Sequence, residues 1–234
     1  MSPLWLYRAM TYVGAPFIKA LLHRRLLAGK EDPDRLSERK GVTSVPRPDG
    51  KLIWLHAASV GESQSSLALI EKLLAEQPDL HVLQTTGTLT SARLMQDRLP
   101  ERSFHQFAPI DLLPWVRRFL DHWQPDMALW MESELWPNLV LEARRRNIPS
   151  VLMNARMSNR SFRRWRQFSR TARHLLQSFS LSLAQTEEQA SFLRQLGADP
   201  VMYLGNLKFS ATQLPVEDTA WNTLAAAVAG RPVW

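Results

Sequence analysis

The chain has 234 residues, no cysteine and a formal net charge of +7. The lack of cysteine excludes disulfides, thiolate metal sites and cysteine nucleophiles, and it fits a reducing compartment. A hydrophobic content of 45% is enough to form a buried core, which excludes the intrinsically disordered class.

The first 28 residues are apolar and aromatic, but Arg8, Pro16 and Lys19 interrupt them. They contain no run of about 20 clean apolar residues, which a membrane-spanning helix needs, and no cleavage site typical of a signal peptide. Aromatic and leucine residues followed by His23 and two arginines are typical of a segment that lies in a membrane interface. A first helix packed on the domain would give the same pattern. We expect residues 1–28 to associate with a membrane.

Residues 29–50 are polar and contain several prolines and glycines, which predicts a connector. Strand and helix patterns then alternate. Strands are predicted at 51–57, 81–86, 103–107, 127–131, 150–154, 181–185 and 201–204. Helices are predicted at 62–76, 90–98, 113–123, 135–146, 161–179 and 187–196. This alternation indicates an α/β fold over residues 51–212, with a Rossmann-like parallel sheet flanked by helices on both faces.

Residues 213–234 have the pattern of a linker, a helix and the first residues of another strand. A folded domain does not normally stop at the beginning of a strand. We therefore expect the chain to be a fragment of a longer protein whose second domain is missing here.

The positive charge is concentrated between residues 143 and 186, where the sequence has ten arginines and no aspartate or glutamate. Such a one-sided block predicts a surface that binds anions, whether membrane, nucleic acid or a phosphorylated substrate. Arginine suits forked contacts with phosphate groups. No recognised nucleic-acid-binding motif accompanies the block, so we expect no nucleic-acid partner. The alternative is a solvated helix face without a ligand.

Unusual residues cluster just after the predicted strands. The loops concerned have the sequences ASVGE, TTGTLTSAR, ESELWPN, ARMSNRS and GNLKFS. In an open parallel sheet such loops meet at the carboxyl edge, where a crevice binds ligands. We therefore predict a ligand site at this edge.

Glu62, in the first of these loops, has two interpretations. Ser59 and Glu62 have the spacing of a capping box, in which the serine is the N-cap and the glutamate accepts the N-cap amide. The helix dipole also favours an acid in the first turn, and it keeps the carboxylate ionised and able to act as a general base. Gly61 leaves space beside it for a substrate. The residues alone leave capping and catalysis both open.

The other loops raise the possibility of an anion site or a metal site. Gly87, between hydroxyl residues, would expose backbone amides to an anion, with Arg93 one turn further along. The alternative is an ordinary turn with threonine caps. Glu132 and Glu134 invite a metal interpretation, but the six histidines are scattered without ligand spacing. We therefore predict no metal, and expect these glutamates to hold arginines or substrate hydroxyls.

Six segments, in this order, resemble those of the 3-deoxy-D-manno-octulosonic acid (Kdo) transferases of Gram-negative bacteria. They are LHAASVGE, TTGTLTSAR, MESELWPNL, NARMSNRS, AQTEEQASFLRQLGA and LGNLKFS. The resemblance covers nearly the whole chain from about Arg35 onward. The final GRPVW resembles the start of the second domain of that family.

The resemblance implies the N-terminal half of a GT-B glycosyltransferase, in which two Rossmann-like domains face a cleft. Such enzymes transfer Kdo from CMP-Kdo to a lipid A precursor, lipid IVA, at the cytoplasmic face of the bacterial inner membrane. They invert the sugar and use no metal or cofactor. The N-terminal domain binds the lipid, and the second domain binds the nucleotide sugar, so this half alone would be inactive. Glu62, in the SVGE motif, would be the general base.

The substrate-binding residues implied by the resemblance lie in the same loops. They are Ser59, Gly61, Thr86, Gly87, Arg93, Glu132, Glu134, Asn154, Arg156 and Lys208. Two alternatives remain. One is a GT-B transferase for another nucleotide sugar, and the other is a non-catalytic module that binds anionic membrane or nucleic acid through residues 143–186.

Overall fold

A single parallel β-sheet organises the part of the chain that the structure describes. This computed structural model describes residues 3–133, 135–207 and 218–229, which contain seven strands in the order β3-β2-β1-β4-β5-β6-β7. The strands are β1 Lys51–His56, β2 Leu80–Thr86, β3 Ser103–Phe107, β4 Met127–Met131, β5 Ser150–Ala155, β6 Leu181–Ala184 and β7 Val201–Tyr203. All seven predicted strands are found, with ends within one residue of the prediction. The order reverses between β1 and β4, and this switch point opens a crevice at the carboxyl edge.

Helices cover both faces of the sheet. They are α1 Pro3–Val13, α2 Ala15–Leu27, α3 Val60–Glu76, α4 Leu89–Arg98, α5 Leu113–Trp123, α6 Pro137–Arg145, α7 Asn159–Gln167, α8 Ser169–Leu176, α9 Glu187–Leu196 and α10 Asp218–Val228. The prediction of one helix at 161–179 is wrong, because the backbone leaves helical geometry at Phe168 (φ −114°, ψ 41°) and divides it into α7 and α8. The helix predicted after the linker is present as α10, whereas residues 208–217 and 230–234 lie outside the described residues.

The core depends on the alternation of side chains along β1. Trp54 faces one layer of helices and contacts Phe119 and Trp130 edge to face, with ring centroids 5.1 and 4.8 Å away. Ile53 and Leu55 face the other layer and pack with the buried residues of α3. Both faces of β1 are therefore buried, which explains its continuous apolar sequence and confirms the predicted α/β sheet.

Helices α1 and α2 are docked on the domain. Leu22 is buried, and the hydroxyl of Tyr7 donates to the Asp111 carboxylate at 2.8 Å. The same carboxylate accepts the backbone amides of Asn138 and Leu139, at 3.0 and 2.8 Å, in the first turn of α6. Asp111 therefore joins α1 to the start of α6.

The outer side of α1 and α2 is apolar. Trp5, Tyr12 and Phe17 are 60%, 72% and 73% exposed. None of the helices among the described residues has the length and apolar character needed to cross a bilayer. Packing on the domain, one of the two interpretations of this segment, is thus observed, and it leaves a row of apolar side chains facing outward.

The polar connector between α2 and β1 is fastened to the carboxyl edge of the sheet. It contains a 3-10 helix, Leu36–Lys40. Arg39 is buried, and its guanidinium donates to the Glu31 carboxylate and to the Gly87 carbonyl oxygen, both at 2.8 Å. The guanidinium also lies over the Phe107 ring, 4.5 Å from its centroid. The polar residues of the connector therefore make internal contacts.

Removing the charge of Glu31 should destabilise the fold. Glu31→Gln leaves the buried Arg39 guanidinium without its ion-pair partner, so we expect the free energy of unfolding to fall by about 3 kcal/mol. Urea denaturation followed by tryptophan fluorescence measures the loss. The control is Glu76→Gln, which breaks an exposed pair with Lys72 at 4.0 Å and should cost less than about 1 kcal/mol. Equal losses in the two variants would contradict the role given to the Glu31–Arg39 pair.

Candidate active site

Loops that follow different strands are joined to one another at the carboxyl edge. The Gly87 amide donates to the Ala58 carbonyl at 3.2 Å, which links the loops after β1 and β2. The Glu132 amide donates to the end of β5 at 2.9 Å, which links the ends of β4 and β5. The predicted site residues Glu134 and Lys208 lie outside the described residues.

Glu62 lies in the first turn of α3, and the preceding loop fixes its carboxylate. Ser59 is the N-cap, and its hydroxyl accepts the Glu62 amide at 3.3 Å. In return, the Glu62 carboxylate accepts the Ser59 hydroxyl at 2.7 Å and the Ala58 amide at 2.9 Å. The predicted capping box is confirmed, except that the glutamate binds the amide one residue before the N-cap. The two contacts fix the position of the carboxylate at the start of α3.

The surroundings of Glu62 are open on one side. Glu62 itself is only 6% exposed, but Ser59 and Gly61 on the same turn are exposed. A Cβ atom added at Gly61 would meet no atom within 4 Å. The structure therefore leaves room beside this turn, as the glycine predicts.

Thr86 and Gly87 hold the loop after β2 in place. The expectation that the Gly87 amide faces an anion is wrong, because this amide binds the Ala58 carbonyl inside the fold. A Cβ atom at Gly87 would lie 3.0 Å from the same carbonyl oxygen, so glycine permits the close approach of the two loops. Thr86 is buried, and its hydroxyl lies 2.9 Å from Nε2 of His105. Both residues therefore support the loop from within.

Arg93 is exposed on α4, one turn after the loop that contains Gly87. It lines a cavity of about 300 Å³ with Asp32 and Pro33 of the connector. No residue of the Glu62 turn lines this cavity. The structure thus places Arg93 at the same edge of the sheet but does not bring it into contact with Glu62.

Glu132 and Asn154, at the ends of β4 and β5, have left-handed backbone geometry. The φ angle is 55° at Glu132 and 51° at Asn154, and such geometry costs about 1–3 kcal/mol in a non-glycine residue. Asn154 lies where the pairing of β5 with β6 is irregular, and its side-chain oxygen accepts the Leu207 amide at 3.0 Å. Its side-chain nitrogen is buried without a hydrogen-bond partner among the described residues. The structure places both residues at the carboxyl edge, and their role in substrate binding stays a prediction.

An exposed basic face begins at Arg156 and continues along α7 and α8. The Arg156 carbonyl accepts the Ser133 hydroxyl, and its side chain is exposed. The other exposed arginines of this face are Arg160, Arg163, Arg164, Arg166, Arg170 and Arg173. None of the acidic residues in the described part of the chain forms an ion pair with this face. The predicted basic surface is present, and its ligand stays a prediction.

Glu142, by contrast, forms ion pairs with Arg145 and Arg146 at the start of the same block. Its carboxylate is fully buried and lies 2.9 Å from Arg145 and 2.7 Å from Arg146. Arg8 of α1 and Arg117 of α5 approach it to 3.5 and 3.4 Å. Burial alone raises the pKa of Glu142, but hydrogen bonds from three of these arginines outweigh it and lower the pKa. This part of the block therefore holds α1, α5 and α6 together.

His56, the last residue of β1, lies at the candidate site and was missed by the sequence analysis. It is 2% exposed, and its Nδ1 lies 2.9 Å from the Thr85 hydroxyl. Burial lowers the pKa of His56 to about 4, so the ring is neutral at physiological pH. The scattered spacing of the six histidines indicates only that they do not form a metal site. The place of His56 directly before the ASVGE loop was the signal that could have identified it.

A cavity of about 370 Å³ lies beside His56 at the carboxyl edge. Its apolar lining includes Leu21 of α2, Ile110, Trp136 and Leu139. Arg25 and Arg39 also line it, but both form ion pairs with Glu31. The lining also includes Asp111 and Ala58, and Ala58 connects the cavity to the turn that carries Glu62.

The described residues contain no group of three or more histidine, aspartate and glutamate side chains that could hold a metal ion. Glu134, the second acid of the predicted pair, lies outside them. The absence of a metal from the reaction therefore stays a prediction.

Residues 34–211 match the sequence family described as 3-deoxy-D-manno-octulosonic-acid transferase (kdotransferase). This chain belongs to the Kdo transferase family. It is 36% identical over 212 residues to the 3-deoxy-D-manno-octulosonic acid transferase of Rickettsia bellii, covering 90% of this chain and 50% of that protein. It is 39% identical over 215 residues to the probable mitochondrial 3-deoxy-D-manno-octulosonic acid transferase of Arabidopsis thaliana, covering 90% and 48%. This Kdo transferase family chain thus spans about half the length of these relatives.

Solved structures of other proteins share the fold of this Kdo transferase family member. UDP-GlcNAc 2-epimerase from Neisseria meningitidis, bound to UDP-GlcNAc, has a TM-score of 0.52 and 15% identity, covering 76% of this chain and 54% of its own. The UDP-N-acetylglucosamine 2-epimerase from Rickettsia bellii has a TM-score of 0.51 and 16% identity, covering 69% and 46%. At such identities the likeness shows the fold alone. The predicted fold, the N-terminal Rossmann-like half of a GT-B protein, is confirmed.

Acidification should destabilise the domain through two buried histidines. Burial lowers the pKa of His56 to about 4, and burial with repulsion from Arg35 and Arg39 lowers that of His105 to about 3. Below about pH 6.5 the unfolded chain binds protons at these rings while the folded chain does not. The free energy of unfolding should therefore fall as the pH drops from 6.5 towards 4, by about 1.4 kcal/mol per pH unit for each ring.

Urea denaturation of the wild type and of His56→Gln, at pH 8 and at pH 4.5, isolates the contribution of one ring. At pH 8 both rings are neutral in the folded and unfolded states, so this pH gives the baseline difference. At pH 4.5 the variant should have gained about 2.5 kcal/mol relative to the wild type. An unchanged difference would contradict a buried, neutral His56.

Proposed function

We propose that this Kdo transferase family chain is the acceptor-binding half of a glycosyltransferase that moves Kdo from CMP-Kdo to a lipid A precursor, lipid IVA. Membership of the family supports the reaction class. The fold supports the division of labour, because a GT-B protein needs a second domain to bind the nucleotide sugar. The relatives are about twice as long as this chain. We therefore expect this half alone to bind the lipid but not to transfer sugar.

The fixed carboxylate of Glu62 at the crevice is the observation that carries this proposal. Its oxygens are held by the Ser59 hydroxyl and the Ala58 amide. The acceptor hydroxyl enters from the open side of the turn, at Gly61. Glu62 takes the hydroxyl proton while the oxygen attacks the anomeric carbon of Kdo and CMP leaves from the opposite face. The configuration at the anomeric carbon is thereby inverted, and the scheme uses no metal.

Glu62→Gln in the full-length protein should abolish most transfer without loss of acceptor binding. Glutamine can still accept the Ala58 amide, so the turn keeps its shape, but it cannot take a proton. We expect kcat to fall about 100-fold or more, in line with general-base catalysis, and the Kd for lipid IVA to change less than about threefold. Transfer of radiolabelled Kdo from CMP-Kdo measures kcat. Titration calorimetry with lipid IVA, in the absence of vesicles, measures the Kd.

Glu76→Gln at the other end of α3 is the matched control and should retain wild-type kcat. Near wild-type turnover in Glu62→Gln would show that Glu62 is not the base. The alternative that the protein uses another nucleotide sugar is tested in the same assay, because UDP-GlcNAc in place of CMP-Kdo should give no transfer.

Two surfaces of the chain support membrane association at the cytoplasmic face of the inner membrane. The first is the exposed apolar side of α1 and α2, which includes Tyr12 and Phe17. The second is the exposed arginine face of α7 and α8. An apolar helix face inserts at the level of the lipid headgroups, and nearby cations add attraction to anionic lipids. The proposed acceptor is itself acylated and phosphorylated, so it would be met at the same surface.

The double variant Tyr12→Ser/Phe17→Ser should bind anionic vesicles at least about tenfold more weakly than the wild type, because it removes two apolar contacts with the bilayer. Sedimentation with vesicles of phosphatidylglycerol and phosphatidylethanolamine measures the binding. Trp221→Ser/Leu224→Ser, which alters two exposed apolar residues of α10, is the control. Equal binding by the wild type and the α1–α2 variant would show that the apolar side of α1 and α2 does not bind the membrane. Displacement of the vesicles by generic DNA would instead favour the nucleic-acid alternative.

A further inference from the structure

A short chain of hydrogen bonds between β1 and β2 ends at His56. The Trp54 indole Nε1–H donates to the Thr85 hydroxyl oxygen at 2.8 Å. The same oxygen lies 2.9 Å from His56 Nδ1. Trp54 and Thr85 are fully buried and His56 is 2% exposed, so water does not compete for these contacts.

The chain fixes which nitrogen of His56 carries the proton. Trp54 can only donate, so Thr85 accepts from it and must place its own hydroxyl proton elsewhere. Among the described residues, His56 Nδ1 is the acceptor within hydrogen-bond distance of that hydroxyl. Nδ1 is therefore unprotonated, and a neutral ring then carries its proton on Nε2. Burial keeps the ring neutral, since it lowers the pKa of His56 to about 4.

The proton on Nε2 is an unused hydrogen-bond donor. Nε2 is buried and has no partner among the described residues, and leaving a buried donor unpaired is unfavourable. The ring lines the cavity of about 370 Å³ that also includes Ala58. Because Thr85 occupies Nδ1, Nε2 is the ring nitrogen that is left for a molecule in this cavity, and such a molecule reaches it by displacing the atoms that bury it.

The lining of the cavity indicates what kind of molecule fits it. Leu21, Ile110 and Leu139 give it apolar walls. The two arginines on its wall, Arg25 and Arg39, are already paired with Glu31. Neither offers an unpaired positive charge to an anionic ligand. It suits an uncharged ligand group that combines apolar surface with one oxygen acceptor. An acylated sugar has such groups, namely the hydroxyl and acyl carbonyl oxygens next to its hydrocarbon chains.

We propose that Nε2–H of His56 donates a hydrogen bond to an uncharged oxygen of the acylated acceptor sugar, and so positions the hydroxyl that Glu62 deprotonates. This inference rests on the proposed function. Ala58 connects the two groups, because it lines the cavity and its amide holds the Glu62 carboxylate. Trp54 and Thr85 keep the donor oriented before the acceptor binds, so the hydrogen bond forms without rearrangement of the ring.

The full-length protein, assayed with CMP-Kdo and lipid IVA, tests the proposal through the acceptor KM. His56→Phe keeps the ring volume but removes the donor, and KM for lipid IVA should rise about five- to tenfold with kcat changed less than about threefold, as for a neutral hydrogen bond used in binding. His56→Gln places an amide N–H near the position of Nε2, and its KM should stay within about twofold of the wild type.

His81→Phe is the matched control, because His81 also has a buried ring nitrogen without a partner but lies near the start of β2, at the opposite edge of the sheet. Its KM should not change. The proposal is wrong if His56→Phe leaves KM unchanged, if His56→Gln raises KM as much as His56→Phe does, or if His81→Phe raises it equally. The first result would also fit a buried water at Nε2.

Nitrogen-15 NMR of histidine-labelled full-length protein gives a readout that does not depend on transfer. At pH 7 His56 should show the Nε2–H tautomer, and saturating lipid IVA should shift its Nε2–H proton downfield. If the wild type transfers no Kdo but this signal responds, the proposed reaction fails while the binding role of His56 stands. If the enzyme transfers Kdo and the signal does not respond, the role of His56 fails alone.

Discussion

The carboxyl edge of the sheet depends on one buried cation, Arg39. Its guanidinium donates to the carbonyl oxygens of Gly87, Ala108 and Thr86 at 2.8, 3.3 and 3.5 Å, where β2 and β3 give way to loops. Buried carbonyl groups need donors, and here a side chain from the connector provides them. Burial lowers the pKa of Arg39, and the Glu31 carboxylate opposes that effect. The ion pair thus keeps Arg39 charged in the interior, where its guanidinium binds the two loops directly.

The domain contains two kinds of charged residue. Three buried acidic residues pair with donors inside the fold. They are Glu31, Glu142 and Asp111. The arginines of α7 and α8 form no ion pair within the described part of the chain and stay exposed. Glu62 differs from both groups. Its carboxylate is buried and accepts the Ala58 amide of the preceding loop, while the neighbouring Gly61 faces open space.

Sequence rules that act locally predicted most of the architecture. The continuous apolar run located β1, and the Ser59–Glu62 spacing located the start of α3, because both patterns depend only on neighbours in the chain. They did not reveal that the Glu62 carboxylate reaches Ala58, or that Phe168 divides α7 from α8. Those outcomes depend on how loops and helices pack on the rest of the domain.

Residues whose role comes from distant partners could not be predicted in this way. Arg39 belongs to a polar segment that looked solvated, and its partners include the ends of β2 and β3, far along the chain. The position of the His56 proton depends on the hydrogen bond between Nδ1 and the Thr85 hydroxyl, 29 positions away on a neighbouring strand. The left-handed backbone at Glu132 has no sequence signal, since glutamate rarely adopts it. The candidate site was therefore located by its loops, but its donors and its cavity emerged only from the fold.

The carboxylate of Asp111 has a mechanical consequence for this site. It binds the Tyr7 hydroxyl with one oxygen and receives the amides of Asn138 and Leu139 with its pair of oxygens. Helix α1, whose outer side is apolar, is thereby coupled to the turn of α6 that forms part of the cavity wall at Leu139. A displacement of α1 that keeps the Tyr7 hydrogen bond must therefore move this wall with it.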